Sequence, residues 1–187
     1  MNFTLFEAAL GRCGLVWTDR GICGVQLPQR DEAATRARLA RRHPNARETV
    51  PPPEIQDAID GIVALLTGSP RDLSYVLIDD SEISDFNRKV YAIARTIPPG
   101  RTMTYGEIAE RLGDKLLARA VGQAMGENPA PIIMPCHRVL AANGKTGGFS
   151  APGGVITKLR LLTLEGAEPG GPTLFDQLPL AAGPPRG

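Results

Sequence analysis

Hydrophobic and polar positions alternate over short distances at the start of the chain. The runs TLFEAAL, GRCGLVWT and GICGVQLP lie between residues 3 and 28, broken at Gly11, Gly14, Gly21 and Gly24. Short apolar runs punctuated by glycine predict strands joined by tight turns. From Asp31 to Arg42 the composition shifts to Ala, Arg and Leu, which suits an exposed helix, with His43 as a solvated residue at its C-terminal end beside Pro44. Pro51, Pro52 and Pro53 then form a stiff break. The segment EIQDAIDGIVALLTG places Ile55, Ile59, Ile62, Val63 and Leu66 at helical spacing and stops at Gly68. YVLID, 75–79, predicts a further strand. Residues 1–80 therefore predict a small α/β or α+β unit, and they carry no recognisable chemical constellation.

A different pattern starts after DDSEIS, 79–84, which predicts a linker. Asp85 is the expected N-cap of a helix whose face is marked by Phe86, Val90, Ile93, Ala94 and Ile97 and which ends at PPG, 98–100. Thr104 and Glu107 form the T-x-x-E pattern of a capping box, so TYGEIAERLG predicts a short helix closed by Gly113. A second helix is expected from Lys115 to Gly126. Two short helices around a tight glycine turn match the helix-turn-helix pattern. The second one carries Ala118, Ala120, Gly122, Ala124 and Gly126, so its surface is thin. Thinness allows close approach to a duplex, but it also lets two helices pack tightly, and from this segment alone the packing explanation stands first. The end of the chain, 169–187, is rich in Pro and Gly and predicts a flexible tail. The fold class is thus α+β, a small α/β domain at 1–80 followed by a mostly helical domain at 85–168.

Composition narrows the function classes. The 187 residues are 42% hydrophobic and 22% charged, ordinary for a globular protein. No apolar run is long enough to span a bilayer, and MNFTLFEAALGRC shows no basic region followed by an apolar block, so neither membrane insertion nor a signal peptide is expected. The expected place is the cytosol, where thiols stay reduced. Cys13, Cys23 and Cys136 form no C-x-x-C pair, which argues against a disulfide framework and a four-ligand zinc site. The net charge of +1 hides an asymmetry. Residues 85–167 hold 11 basic against 6 acidic side chains, and the remainder 10 against 14. A basic half hints weakly at an anionic partner.

The chemistry concentrates at PCHR, 135–138. Cys136 is the one cysteine beside groups able to activate it, His137 and Arg138. A free thiol has a pKa near 8.5, so roughly a few per cent is thiolate at neutral pH. Neighbours in an extended segment point apart, so adjacency alone also fits a buried thiol next to a solvated imidazole. A nucleophile, a metal ligand and an inert thiol all stay open on these residues by themselves.

Taken together, GRTMTYGEIAERLG and ARAVGQAMGENPAPIIMPCHRVLAANGKTGGFSAPGGVITKLRLLTLEGA resemble the O6-alkylguanine-DNA alkyltransferases (methylated-DNA–protein-cysteine methyltransferases). The resemblance spans about residues 85–167 and rests on RAVG, Asn-Pro before an apolar run, PCHR, and LL-x-x-EG in that order. Residues 1–80 are similar only loosely, to the family's variable ribonuclease-H-like N-terminal domain. The resemblance implies that Cys136 accepts the alkyl group. It implies that His137 relays the thiol proton through a water, that Glu165 orients the histidine and that Asn128 braces the site. It implies that Arg119 fills the base stack while Tyr105 helps rotate the nucleotide and protonates the leaving guanine. Ser150 belongs to the loop over the base pocket. Thr104, Arg101, Lys115, Ala118 and Gly122 are expected at the DNA, and Tyr105, Met134, Phe149 and Ser150 around the substrate.

The implied reaction is single-turnover transfer from O6-alkylguanine, and from O4-alkylthymine, in double-stranded DNA, by a monomer without metal or organic cofactor. A buried lesion must be flipped out at a cost of a few kcal/mol. The thioether product has no carbonyl for water to attack, so the thiol is not regenerated. Three residues depart from the family pattern. Met134 stands where a β-branched residue is usual, Phe149 replaces a common tyrosine, and FSAPGGVITK, two residues longer than in the family's shorter versions, carries Pro152. These bear on the range of alkyl groups. A lesion-binding protein of the same scaffold lacks the cysteine that is present here. A helix-turn-helix regulator has little use for Asn128, Cys136, His137 and Glu165 together. A thiol peptidase needs an oxyanion site that is not identifiable.

Overall fold

The computed structural model describes residues 1–69 and 71–167; the expected tail, 169–187, lies outside them. The chain folds as a mixed α+β protein with six α-helices among the described residues. Strands β1 (Asn2–Ala8), β2 (Gly11–Thr18) and β3 (Gly21–Gln26) form an antiparallel meander, and β4 (Arg47–Glu48) adds a short parallel edge beside β1. Alternation along the strands sends side chains to opposite faces. On one face Phe3, Leu5 and Val16 meet Leu39 of α1 (Glu32–Arg42). On the other, Phe6, Leu15 and Trp17 meet Ile55, Ile59 and Ile62 of α2 (Pro53–Leu66). Asp31 caps α1 by accepting from the Ala34 N–H, and Pro53 sits at the first position of α2, where its missing N–H costs nothing.

The second half begins with α3 (Asp85–Arg95) and continues through β5 (Met103–Thr104) and α4 (Tyr105–Arg111). A 3₁₀ turn at Lys115–Leu117 leads into α5 (Ala118–Gly126), followed by β6 (Val139–Leu140) and α6 (Gly154–Leu164). Thr104 and Glu107 make both bonds of the expected capping box. The Tyr91 hydroxyl donates to the Ala124 carbonyl at 2.7 Å and fastens α3 to α5. One continuous hydrophobic core runs through both halves, from Leu15 and Ile62 to Ile108, Val121, Ile133 and Leu161. The Val25 N–H donates to the Pro129 carbonyl at 2.9 Å, which ties β3 directly to the segment that leads into PCHR.

Four local expectations are corrected. Residues 75–79 form no strand. Ile78 makes a single bridge to Ile22, because the Leu77 carbonyl and the Asp79 N–H each bond Ile22 and the segment then turns away. The N-cap of α3 is Ser84, whose hydroxyl accepts from the Asn87 N–H, not Asp85. The helix expected from Lys115 starts only at Ala118, since Asp114 caps a 3₁₀ turn first. His43 is half-buried rather than solvated, and burial lowers its pKa.

The docking of residues 77–79 on the β2–β3 turn depends on Gly21. Its φ is +135°, and a Cβ there would sit 2.6 Å from the Leu77 carbonyl oxygen. Gly21→Ala is expected to lower stability by about 2 kcal/mol or more, since strained backbone and a backbone clash combine. Urea denaturation followed by circular dichroism checks this.

Candidate active site

Asn128 shapes the chain that carries the thiol. Its Oδ1 accepts from the Ala130 N–H at 2.9 Å and its Nδ2 donates to the Met134 carbonyl at 2.7 Å. Between them lies Ile132 with φ +79°, among the described non-glycine residues the one at positive φ. Such a conformation is unfavourable for a β-branched residue and persists only where its surroundings impose it. The stapled loop delivers Pro135 and then a 3₁₀ turn, Cys136–Arg138, with all three residues buried.

Glu165, just past the end of α6, holds that turn. His137 Nε2 lies 2.9 Å from Glu165 Oε1. Arg138 donates to both carboxylate oxygens at 2.8 Å, through Nε and Nη2, and its Nη1 donates to the Ile97 carbonyl at 2.6 Å. Despite burial, the bonds from His137 and Arg138 bring the Glu165 carboxyl down to about 2. Burial lowers the His137 pKa, and the Glu165 charge, already shared with Arg138, does not restore it. The ring is therefore neutral at pH 7. A carboxylate at Nε2 fixes the proton there and leaves Nδ1 as the acceptor. Nδ1 is buried without a hydrogen-bond partner among the described residues. The arrangement is a thiol next to a base that is itself oriented by a carboxylate.

Lys158, fully buried on α6, is the second cation of the site. Its Nζ donates to the Val139 carbonyl at 2.6 Å and sits 5.8 Å from the centre of the Tyr105 ring. Burial lowers its pKa to about 8. Burial raises the pKa of Cys136, against which act the Asn128 amide, the Lys158 charge and the backbone N–H groups of Cys136 and His137. The Tyr105 hydroxyl also has a raised pKa, first from burial and then from Cys136.

Cys136 opens to a cavity of about 460 Å³ lined with Tyr105, Gly122, Met125, Phe149 and Ser150. Tyr105, Phe149 and Ser150, all expected around a substrate, are thus brought to the thiol. Met134 is not: its side chain is 2% exposed and packs in the core, and the carbonyl alone serves the Asn128 staple. Met125 takes the wall position instead. Arg119 is exposed at the second position of α5, beside Ala118 and one turn before Gly122. Arg101 is exposed ahead of β5, Lys115 is ion-paired with Glu110, and the Thr104 hydroxyl is engaged in its capping box. Sequence reasoning offered Arg138 only as a positive neighbour of the thiol, whereas its fork engages Glu165, and it assigned no role to Lys158 or Met125. A signal existed for Lys158. It lies seven residues before Glu165 on the stripe of Leu161 and Leu162, an apolar face where a lysine needs a reason.

Glu165 also sets an acid limit. Its folded pKa of about 2 lies below the ordinary glutamate value of 4.5, so its stabilisation is present above pH 4.5 and is lost as pH falls towards 2. Glu165→Gln is expected to be destabilised at pH 7 by about 3 kcal/mol or more, because Arg138 loses its partner. It should also lack that part of the acid-induced loss. Urea midpoints of both proteins between pH 2 and 7 measure it.

Residues 85–167 match the family described as 6-O-methylguanine DNA methyltransferase, DNA binding domain. The chain is 33% identical over 153 residues to a methylated-DNA–protein-cysteine methyltransferase of Methanothermobacter thermautotrophicus, spanning 82% of this chain and 78% of that one. It is 42% identical over 129 residues to the protein of that name in Mycobacterium bovis, spanning 68% and 76%. Among solved structures, the Mycobacterium tuberculosis OGT in complex with DNA superposes with a TM-score of 0.70 at 30% identity, covering 89% of this chain and 93% of that one. A buried cysteine on a stapled turn, with a carboxylate-held histidine behind it, sits inside the matched segment, and the chain belongs to the methylated-DNA–protein-cysteine methyltransferase family.

Proposed function

We propose that the protein repairs DNA by moving the alkyl group of O6-alkylguanine, and of O4-alkylthymine, onto Cys136 Sγ, once per molecule. The observation that carries this is the Cys136–His137–Glu165 array at the floor of a cavity large enough for a base. His137 Nδ1, the free acceptor, takes the thiol proton through a water, and the Glu165 carboxylate stabilises the resulting imidazolium against the charge of Arg138. The sulfur attacks the alkyl carbon, the C–S bond forms, the C–O6 bond breaks, and its electron pair goes to the guanine. Tyr105 protonates that leaving group. Lys158 supplies positive charge near both the developing thiolate and the tyrosine ring, in a site where burial strengthens the interaction. Asn128 keeps the turn in place.

The duplex is read mainly as a backbone. We assign residues 1–80 to a ribonuclease-H-like α/β domain and 85–168 to the catalytic DNA-binding domain, with α4 and α5 as a helix-turn-helix. Gly122 and Gly126 favour close approach of α5: a Cβ at either would meet nothing within 4 Å, so packing does not demand a glycine there. Arg119 enters the stack vacated by the flipped nucleotide, and Arg101 and Lys115 lie towards phosphate. The protein acts as a cytoplasmic monomer on double-stranded DNA. A lesion binder without chemistry is disfavoured by Cys136 itself.

Intact-mass measurement after mixing with an O6-methylguanine duplex should show a gain of one methyl group, mapped to the Cys136 peptide, with repair ceasing at one lesion per molecule. Cys136→Ala should still bind the duplex and transfer nothing; removal of the methyl group by that variant would refute the assignment. The rate should also hold on the acid side. With the His137 pKa lowered by burial, the base stays unprotonated below its ordinary value of 6.5, so transfer should fall only at more acid pH. A pH profile of the single-turnover rate with midpoint at or above 6.5 would count against His137 as the base.

A further inference from the structure

A second cavity, of about 160 Å³, also reaches Cys136. It shares Gly126, Cys136, Phe149 and Ser150 with the larger one. The larger cavity is completed by Tyr105 and α5, and the smaller by Pro131 and by Arg38 and Arg42 of α1. The N-terminal half thus presents two guanidinium groups towards the space next to the thiol.

Those arginines lack the partners that Arg36 has on the same helix. Arg36 is ion-paired with Glu32 and Glu48, whereas neither Arg38 nor Arg42 makes an ion pair among the described residues. Arg38 Nε is buried without a hydrogen-bond partner among the described residues. The two lie one helical turn apart, a spacing at which like charges repel. Arg42 is exposed over part of its length, and the partial burial of its head, and then the charge of Arg38, lower its pKa. Arg42 in the last turn also complements the helix carbonyls, but Arg38, a turn earlier, has no such role. Glu127 lines the same cavity, yet its carboxylate already accepts from Asn87 and Gln123. An anion entering between the arginines would relieve both the repulsion and the unmet donor.

We propose that the second cavity receives the transferred group, and that Arg38 and Arg42 select alkyl groups ending in a carboxylate, such as carboxymethyl or 3-carboxypropyl on guanine O6. This rests on the function proposed above. In an in-line displacement the sulfur, carbon and oxygen are roughly collinear, so whatever the carbon carries must project sideways. With the base in the larger cavity, the adjoining space at Cys136 is the smaller one. Pro131 and Phe149 give the methylene groups an apolar wall, and the guanidinium forks match a carboxylate. The step is the same substitution: the C–S bond forms, the C–O6 bond breaks, and the guanine leaves protonated, giving an S-carboxyalkyl cysteine.

Single-turnover rates of the whole protein on duplexes test this. The lesions compared are O6-methyl, O6-carboxymethyl and O6-(3-carboxypropyl)guanine, with the corresponding terminal amides as neutral partners of equal length. At one or both lengths the carboxylate should react faster than its amide by roughly tenfold, the scale of one charge-assisted hydrogen bond. Arg38→Gln, Arg42→Gln and the double variant should erase this preference while leaving methyl transfer near its original rate. Adduct mass on Cys136 confirms the product, and circular dichroism melting confirms folding of each variant. Equal rates for carboxylate and amide in the wild type, or a preference that survives the double variant, overturn the proposal. So does an equal slowing of every lesion together with weaker binding to undamaged duplex, which would mean that the arginines hold a DNA phosphate. A wild-type protein that takes no methyl group onto Cys136 sinks the function and this inference together; methyl transfer without carboxylate preference sinks this inference alone.

Discussion

The buried carboxylate of Glu165 is the constraint on which the site depends. It accepts from His137 and twice from Arg138. An ionised group out of water is tolerated only when its lone pairs are met, and here a guanidinium fork meets most of them. Arg138 therefore does two things at once. It keeps Glu165 charged, and it takes up the attraction that would otherwise hold a proton on His137. The imidazole stays neutral, oriented and able to accept. Glu165 lies just beyond α6 and His137 in the turn before β6, so one ionic contact fixes the C-terminal helix against the segment bearing the thiol.

A second constraint comes from the backbone. Asn128 bonds both ends of the segment that holds Ile132 at positive φ, and the Pro129 carbonyl accepts from β3. The strained loop is thus gripped from its own side chain and from the N-terminal sheet. This gives the first half of the chain a mechanical part in placing Cys136, apart from any part its side chains take in receiving the alkyl group. Through α1 it also closes one wall of the space around the sulfur.

Burial and charge pull the thiol in opposite directions. Desolvation raises the Cys136 pKa, while Lys158, the Asn128 amide and two backbone N–H groups lower it. A resting thiol that is mostly protonated is protected from oxidation and stray alkylation, because the thiolate is the reactive form. In the mechanism we propose, activation belongs to the moment when His137 takes the proton. Lys158 is itself close to losing its charge near neutral pH, since its ammonium is desolvated against the Val139 carbonyl.

Much of this was written in local sequence. Apolar spacing marked α2 and α3, the Thr104–Glu107 pair marked the start of α4, and glycine-broken apolar runs marked the three-stranded meander, because caps, periodicity and turns are short-range effects. The order of RAVG, NP, PCHR and EG identified the family and named Cys136, His137, Glu165 and Asn128. Local pattern failed where a distant partner decided. Residues 75–79 have strand composition, but they meet β3 at one residue and turn away. Met134 looked like a pocket wall, yet core packing claims it and Met125 takes its place. The fork from Arg138 to Glu165 spans 27 residues and the burial of Lys158 depends on a carbonyl 19 residues earlier. The sequence by itself determined which chemical groups were available and in which local elements they sit. Only the tertiary structure decided which of them share a desolvated space, and that sharing sets their charge states, because electrostatic interaction depends on distance and burial rather than on position along the chain.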